Sequence, residues 1–242
     1  MSGLSRRQAL AGFGGVSLGA LLAACSDDDS PIARVETADG GSSTVEPKGA
    51  RDDLASRFDD AARCTQTAEQ TEGPYYFDVE SIRRDIREDR EGAALRLGVR
   101  VRDAAGGCEP IADAVVDIWH CDAGGTYSGL EGAEGESYLR GAQVTNREGI
   151  AEFTTIYPGW YPGRTVHIHA KVHLDRRTAL TTQFYFDDAL SAEVHSREPY
   201  AAGGAPDAGN DSDGIYDPSL ELTLSEEGEG YLGLITLDVT RA

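Results

Sequence analysis

Two histidines two residues apart, His167 and His169, sit in the run Gly159-Trp160-Tyr161-Pro162-Gly163-Arg164-Thr165-Val166-His167-Ile168-His169. On an extended chain alternate residues share a face, so both imidazoles point the same way. That is ligand geometry for Fe, Zn or Cu, although the same pair could be ordinary half-buried polar residues. His173 continues the face but lies too far along the strand for easy shared coordination. Two tyrosines change the balance. Tyr127 lies in Gly124-Gly125-Thr126-Tyr127-Ser128-Gly129, and Tyr157 lies in Ile156-Tyr157-Pro158. A phenol free in water ionises near pH ~10, so it becomes a ligand only when a strong Lewis acid takes its proton. Ferric iron is such an acid. Two phenolates and two imidazoles would leave it one positive charge, disfavour its reduction and keep positions open for a bidentate catecholate.

The elements that must hold these groups read as strands. Ala94–Val101 alternates apolar and polar residues and ends before the Gly106-Gly107 turn. Ala114–Trp119 reads as a core strand. Gln143–Thr145 and Ile150–Ile156 flank Asn146-Arg147-Glu148-Gly149, which predicts a hairpin. Val166–Leu174, Thr181–Phe186 and Tyr231–Val239 complete the set, and Glu80–Arg90 alone hints at a helix or a surface loop. Many short strands at regular spacing predict an all-β fold, a β-sandwich of mixed sheets with long loops. The Gly-, Asp- and Ala-rich stretch Ser196–Pro218 does not fit an EF-hand and reads as a solvated loop.

Composition supports a turn-rich fold and excludes several partners. The 242 residues include 29 glycines, nine prolines and one methionine, and carry a formal net charge of −20. A polyanion-binding surface would work against that field, which argues against nucleic acid. Arg6 and Arg7 precede a Gly/Ala-rich apolar stretch of roughly 16 residues, short of the ~20 that cross a bilayer. The paired arginines look like a twin-arginine export signal, and Leu22-Ala23-Ala24-Cys25 resembles a lipobox with Cys25 as the acylated residue. Residues 1–25 are therefore expected to be a lipoprotein signal, 26–60 a disordered, flexible tether, and 61–242 the folded domain. The membrane would be engaged only through the N-terminal lipid. Export permits a disulfide among Cys64, Cys108 and Cys121. Because Ile111–Cys121 reads as a strand spanning about 33 Å, a bridge from Cys64 to one of the other two is favoured over Cys108–Cys121.

Taken together, the motifs resemble those of the intradiol ring-cleavage dioxygenases, the family of catechol and protocatechuate dioxygenases. The resemblance spans Cys64 to Asp187. It rests on Thr71-Glu72-Gly73-Pro74-Tyr75-Tyr76, on Val116-Asp117-Ile118-Trp119 followed by Gly125-Thr126-Tyr127, and on Tyr157-Pro158. Arg164 ahead of His167-Ile168-His169, then Thr182-Gln183-Phe184-Tyr185-Phe186, complete it. It implies a non-haem Fe(III) enzyme that cuts a catechol ring between the hydroxylated carbons, using O2 and giving a cis,cis-muconate-type product. Tyr127 and His169 would be equatorial ligands and Tyr157 and His167 axial ones, with Tyr157 displaced by substrate and accepting a diol proton. Arg164 would stabilise charge on the reacting ring, Gln183 would stand near the histidines, and Thr71, Gly73, Pro74 and Tyr75 would line the substrate mouth.

Departures from the family pattern are also visible. His120-Cys121-Asp122 replaces a Gln-Ala-Asn-like run, and His120 could approach the site or simply pack. Tyr161 is a rival ligand to Tyr157. The helical region by which cytosolic catechol dioxygenases dimerise has no counterpart, so the resemblance is to the exported, lipoprotein branch and the oligomeric state stays open. The competing readings are an inactive β-sandwich binding module and an iron-holding surface protein of the same fold.

Overall fold

In strand β3 (Ala94–Asp103) the side chains of Leu95, Leu97, Val99 and Val101 are fully buried in the main core, and Arg96, Arg100 and Arg102 alternate with them. Period-2 patterning thus sorts apolar and charged groups onto opposite faces. The arginine face is satisfied by carboxylates: Arg96 bonds Glu152 and Asp53 at 3.0 Å each, and Arg102 bonds Asp238 at 2.8 Å. Each fully buried Leu or Val contributes about 1.5–3 kcal/mol relative to exposure.

The computed structural model describes residues 33–36, 42–45, 53–58, 64–76, 82–130, 132–174 and 177–241. Strands β1 (Ala33–Glu36) and β2 (Ser42–Val45) pair as a two-stranded antiparallel ribbon within a separate N-terminal unit. The main unit holds two four-stranded sheets. One has the order β6 (Ile150–Ile156), β3, β10 (Gly230–Val239), β9 (Thr223–Glu227), with β3 and β10 parallel. The other is wholly antiparallel, with the order β5 (Arg140–Val144), β4 (Val115–Trp119), β7 (His167–Leu174), β8 (Arg177–Tyr185). The core between them takes Leu97 and Val99 from β3, Ile118 from β4, Ile168 and Ala170 from β7, Phe184 from β8 and Leu237 from β10. The expected all-β sandwich is the observed fold.

Several local expectations change. Asn146–Gly149 does form a tight turn, in which Gly149 N–H donates to the Asn146 carbonyl and the Asn146 side chain accepts from Glu148 and Ile150. It is not a hairpin, because β5 pairs with β4 and β6 pairs with β3, so the turn passes the chain from one sheet to the other. Glu80–Arg90 contributes no helix among its described residues; isolated bridges tie Ile82 to Ala142 and Asp85 to Thr154. Helix α1 (Asp188–His195) and β9 had no reading in the sequence. The helix is eight residues long, too short for a clear 3.6-residue period, and is started by the Asp187 carboxylate accepting the Leu190 N–H.

The expected domain boundaries also shift. Leu54 and Phe58 are buried against Ile150, Leu232 and Leu234, and Asp53 pairs with Arg96, so the folded body includes residues assigned to the tether. The ribbon β1–β2 falls in the same stretch. For Asp53, Leu54 and Phe58 the reasons are ion pairing and apolar burial, which composition averaged over 26–60 conceals. The expected export signal, Cys25 included, lies outside the described residues.

Candidate metal centre

The register of the antiparallel sheet builds the site on its outer face. Ile168, Ala170 and Val172 of β7 enter the sandwich core, which turns His167, His169 and Lys171 outward. β4 pairs Trp119 with His169, and the two rings stack at 5.0 Å and 5°. β8 pairs Gln183 with His169 and Tyr185 with His167. Although outward of the sheet, His167 and His169 are buried, because loops from three parts of the chain cover them.

The first cover is the loop after β4, which carries Tyr127; the second is the loop after β6, which carries Tyr161. They meet closely at Gly125, where a Cβ would stand 2.2 Å from the Trp160 carbonyl oxygen, so only glycine allows this approach. Gly159 N–H also donates to the Asp122 carbonyl. The third cover is the segment Thr71–Tyr76. Gly73 adopts φ +69° directly against the His169 ring, where a Cβ would come within 3.2 Å of Cε1. Tyr75 lies 4.7 Å from the Tyr127 ring and 5.8 Å from the Tyr161 ring.

Four donor side chains converge there. His167 Nε2 is 3.1 Å from His169 Nε2 and 3.0 Å from the Tyr161 hydroxyl. His167 Nδ1 donates to the Thr165 carbonyl at 2.7 Å, which leaves Nε2 with its lone pair free to bind. The Tyr127 hydroxyl is buried near that of Tyr161 without a properly aligned hydrogen bond. A buried polar atom so placed calls for a partner. Donors 3.0–3.1 Å apart have the spacing of neighbouring ligands on one ion with bonds of about 2.1 Å. Among the described residues no group of three or more His, Cys, Asp or Glu could hold a metal, and the side chains that flank the two imidazoles are phenols. The residues present fit a hard, highly charged ion.

Electrostatics agree with that donor chemistry. Burial pushes the Tyr127 and Tyr161 phenols above their usual range, and lowers His167 to about 3 and His169 well below its ordinary value. The imidazoles are therefore neutral lone-pair donors at physiological pH, and phenolate requires a cation. Two fixed cations stand nearby: Arg164, 3.5 Å from the Tyr161 hydroxyl, and Arg140, which is buried, held by both oxygens of Ser128 and 5.7 Å from the Tyr127 ring centroid. Burial lowers the Arg140 guanidinium to about 10, and Tyr127 is the first group opposing that shift. The sequence contained no periodic or motif cue to Arg140.

Tyr157 is not part of this group. It is fully buried in the main core, its hydroxyl 2.8 Å from Ser191 Oγ on α1 and its ring against Phe186. Tyr157 directly follows β6, a strand of the other sheet, whereas Tyr161 lies four residues on, in the loop that crosses to β7. The expectation that Tyr157 joins the histidines as iron ligand and catalytic base is therefore corrected: the phenol that stands beside His167 is that of Tyr161. The available signal was the repeated Tyr-Pro-Gly, at 157–159 and 161–163, which made a Tyr-Pro pair ambiguous.

The remaining expected residues do gather at the site. Arg164 donates to Asp213 at 2.8 Å and to Gln183 at 2.6 Å, and its Nη1 is 3.5 Å from the Tyr161 hydroxyl. Gln183 in turn donates to the Thr71 carbonyl, and Thr71 Oγ1 accepts the Gly73 N–H. Pro74 starts the turn that brings Tyr75 in. Asp213 was missed: it comes from the stretch read as a solvated loop, yet it and Asn210 are buried and bonded to Arg164 and Thr165. His120 packs elsewhere, its Nδ1 donating to the Cys121 carbonyl and its Nε2 2.7 Å from Thr155 Oγ1.

A family model described as Dioxygenase matches residues 71–194, half of the chain and nearly every residue just placed. The chain belongs to the intradiol ring-cleavage dioxygenase family. This dioxygenase-family chain is similar to an intradiol ring-cleavage dioxygenase from Tetranychus urticae, 32% identical, with a TM-score of 0.69 over 73% of this chain and 95% of that one. It is also similar to the dioxygenase domain of a dioxygenase carbohydrate-binding protein fusion from Streptomyces sp. SirexAA-E, at 32% identity, TM-score 0.58, covering 74% and 100%. Among curated proteins, a chlorocatechol 1,2-dioxygenase of Pseudomonas putida is 30% identical over 149 residues, 52% of this chain and 56% of that protein. The chain spans about half the length of the curated relatives it matches.

Proposed function

We propose that this protein is a non-haem ferric intradiol dioxygenase that opens catecholic rings between the two hydroxylated carbons. Both atoms of O2 would enter a cis,cis-muconate-type product. The observation that supports this reading most directly is the convergence of Tyr127, Tyr161, His167 and His169 on one point. The chlorocatechol and catechol 1,2-dioxygenases among its relatives support the substrate class.

Iron bound by those four side chains would supply the Lewis acidity that holds the phenols ionised and draws electron density from a catecholate. The chain's own residues supply the rest. Tyr127, buried beside Arg140, keeps water from one side of the site. Tyr161, less buried and next to Arg164, would be held ionised by the metal and would be placed to take a diol proton at its Oη. Arg164, braced by Asp213 and Gln183, holds a fixed cation beside the position of the reacting ring. Burial disfavours that cation, but Asp213 and the neighbouring phenols keep it above its usual range. Trp119 fixes the plane of His169 by stacking.

The arginine pair Arg6-Arg7 and the Leu22–Cys25 run support export by a twin-arginine route, with lipid on Cys25 holding the enzyme at the outer face of the cell envelope. Purified protein reconstituted with ferric iron tests the catalytic reading. A visible tyrosinate-to-iron band with O2 uptake on adding catechol is expected. A protein that binds no iron removes the metal centre, and a coloured protein that consumes no O2 is an iron-holding protein instead.

A further inference from the structure

Cys64 and Cys108 are far apart in sequence but meet at one carbonyl. Cys64 Sγ lies 3.9 Å from the Asp103 carbonyl oxygen, and that same oxygen accepts the backbone N–H of Cys108 at 3.0 Å. Cys108 holds φ +69°, a left-handed conformation that L side chains rarely adopt, at the end of the Gly106-Gly107 turn. Both cysteines are partly exposed, whereas Cys121 is buried behind Tyr127 and Trp119. The thiol of Cys64 is pushed up to about 11, first by its hydrogen bond with the Cys108 thiol, then by burial and by Asp238.

We propose that Cys64 and Cys108 form a disulfide that staples the leading edge of the active-site wall to the β3–β4 turn. The two thiols lose two protons and two electrons to a low-molecular-weight disulfide, which leaves as two thiols. What the bond would secure is the segment from Cys64 to Tyr76. It runs from the end of β10, where Thr65 and Thr67 donate to Asp238, past β8, where Gln70 donates to Thr181, to Gly73 and Tyr75 at the metal centre. The pairing itself needs neither iron nor turnover; its effect on the site rests on the function proposed above.

The test is site-resolved thiol mapping of the full native chain after exposure to oxidised glutathione, without reductant. A peptide linked through Cys64 and Cys108 is expected, with Cys121 alkylated only after denaturation. Recovery of both Cys64 and Cys108 as alkylated thiols, or a link from either to Cys121, overturns the proposal. Thermal unfolding adds a second readout. The oxidised wild type is expected to melt about 5–10 °C above the reduced form, a difference that vanishes in Cys64→Ser. Equal melting of oxidised and reduced wild type would remove the stapling role even where the bond forms. Failure of the iron-loaded protein to consume O2 would leave both readouts intact.

Discussion

The Tyr161 hydroxyl lies 3.0 Å from His167 Nε2, while Tyr157, four residues earlier, bonds Ser191 inside the main core. The two phenols therefore separate cleanly in mutagenesis. Tyr161→Phe is expected to shift or bleach the visible band and slow catechol turnover by roughly 10^2-fold or more, through loss of the proton acceptor. Tyr157→Phe should keep the band and lower stability by about 1 kcal/mol, the net worth of one hydrogen bond. Spectra and urea midpoints of the two variants decide it; a bleached Tyr157→Phe with normal Tyr161→Phe would restore the sequence-based assignment.

Arg164 is held in place by Asp213, whose carboxylate also accepts the Thr165 and Ile215 N–H groups. Burial pushes that carboxyl up, but Arg164 and the two backbone donors outweigh it and hold it below its usual value. Arg164→Ala should reduce kcat by about 10^2-fold with iron content unchanged. Asp213→Asn should move kcat the same way by less. Iron loss in step with activity would recast both as structural.

Gly73 fits because it has neither a Cβ nor a steric penalty at φ +69°. Gly73→Ala is expected to cost about 1–2 kcal/mol in backbone strain and to press on His169. Weaker iron retention together with a lower melting temperature would show both effects; an unchanged iron titration would mean the His169 ring moves aside freely.

His120 is fully buried, and burial lowers it from its ordinary 6.5 to about 4. Between those values the unfolded chain binds a proton that the folded chain refuses. Stability should therefore fall as pH drops through this window, by on the order of 3 kcal/mol from this group. Below about 4 both states carry the proton and the loss stops growing. Urea midpoints at pH 7.5 and 4.5 should therefore differ less in His120→Gln than in the wild type. Equal pH dependence in the two would assign the loss to other groups.

Local pattern made much of this fold legible. Alternation placed β3, β6, β7 and β10 within a few residues, because a strand with one face in a core must repeat every second residue. The same rule put His167 and His169 on one face without any knowledge of their partners. Helix α1 and strand β9 escaped because the first is short and the second is mostly exposed along its length. Asn146–Gly149 was legible as a turn, but a turn's chemistry does not say whether the strands beside it pair with each other.

What the amino-acid order alone determined was the set of chemical groups and the side of each strand they occupy: paired imidazoles, available phenols, an arginine just ahead of them. Which phenol meets the imidazoles was decided by tertiary structure. Tyr157 and Tyr161 sit in identical Tyr-Pro-Gly surroundings, and only the crossing of the chain from the β6 sheet to β7 sends one into the core and the other to His167. Asp213, Arg140 and the Cys64–Cys108 meeting belong to the same class. Their partners are distant in sequence, and no local period encodes a contact made by the packing of loops on a sheet.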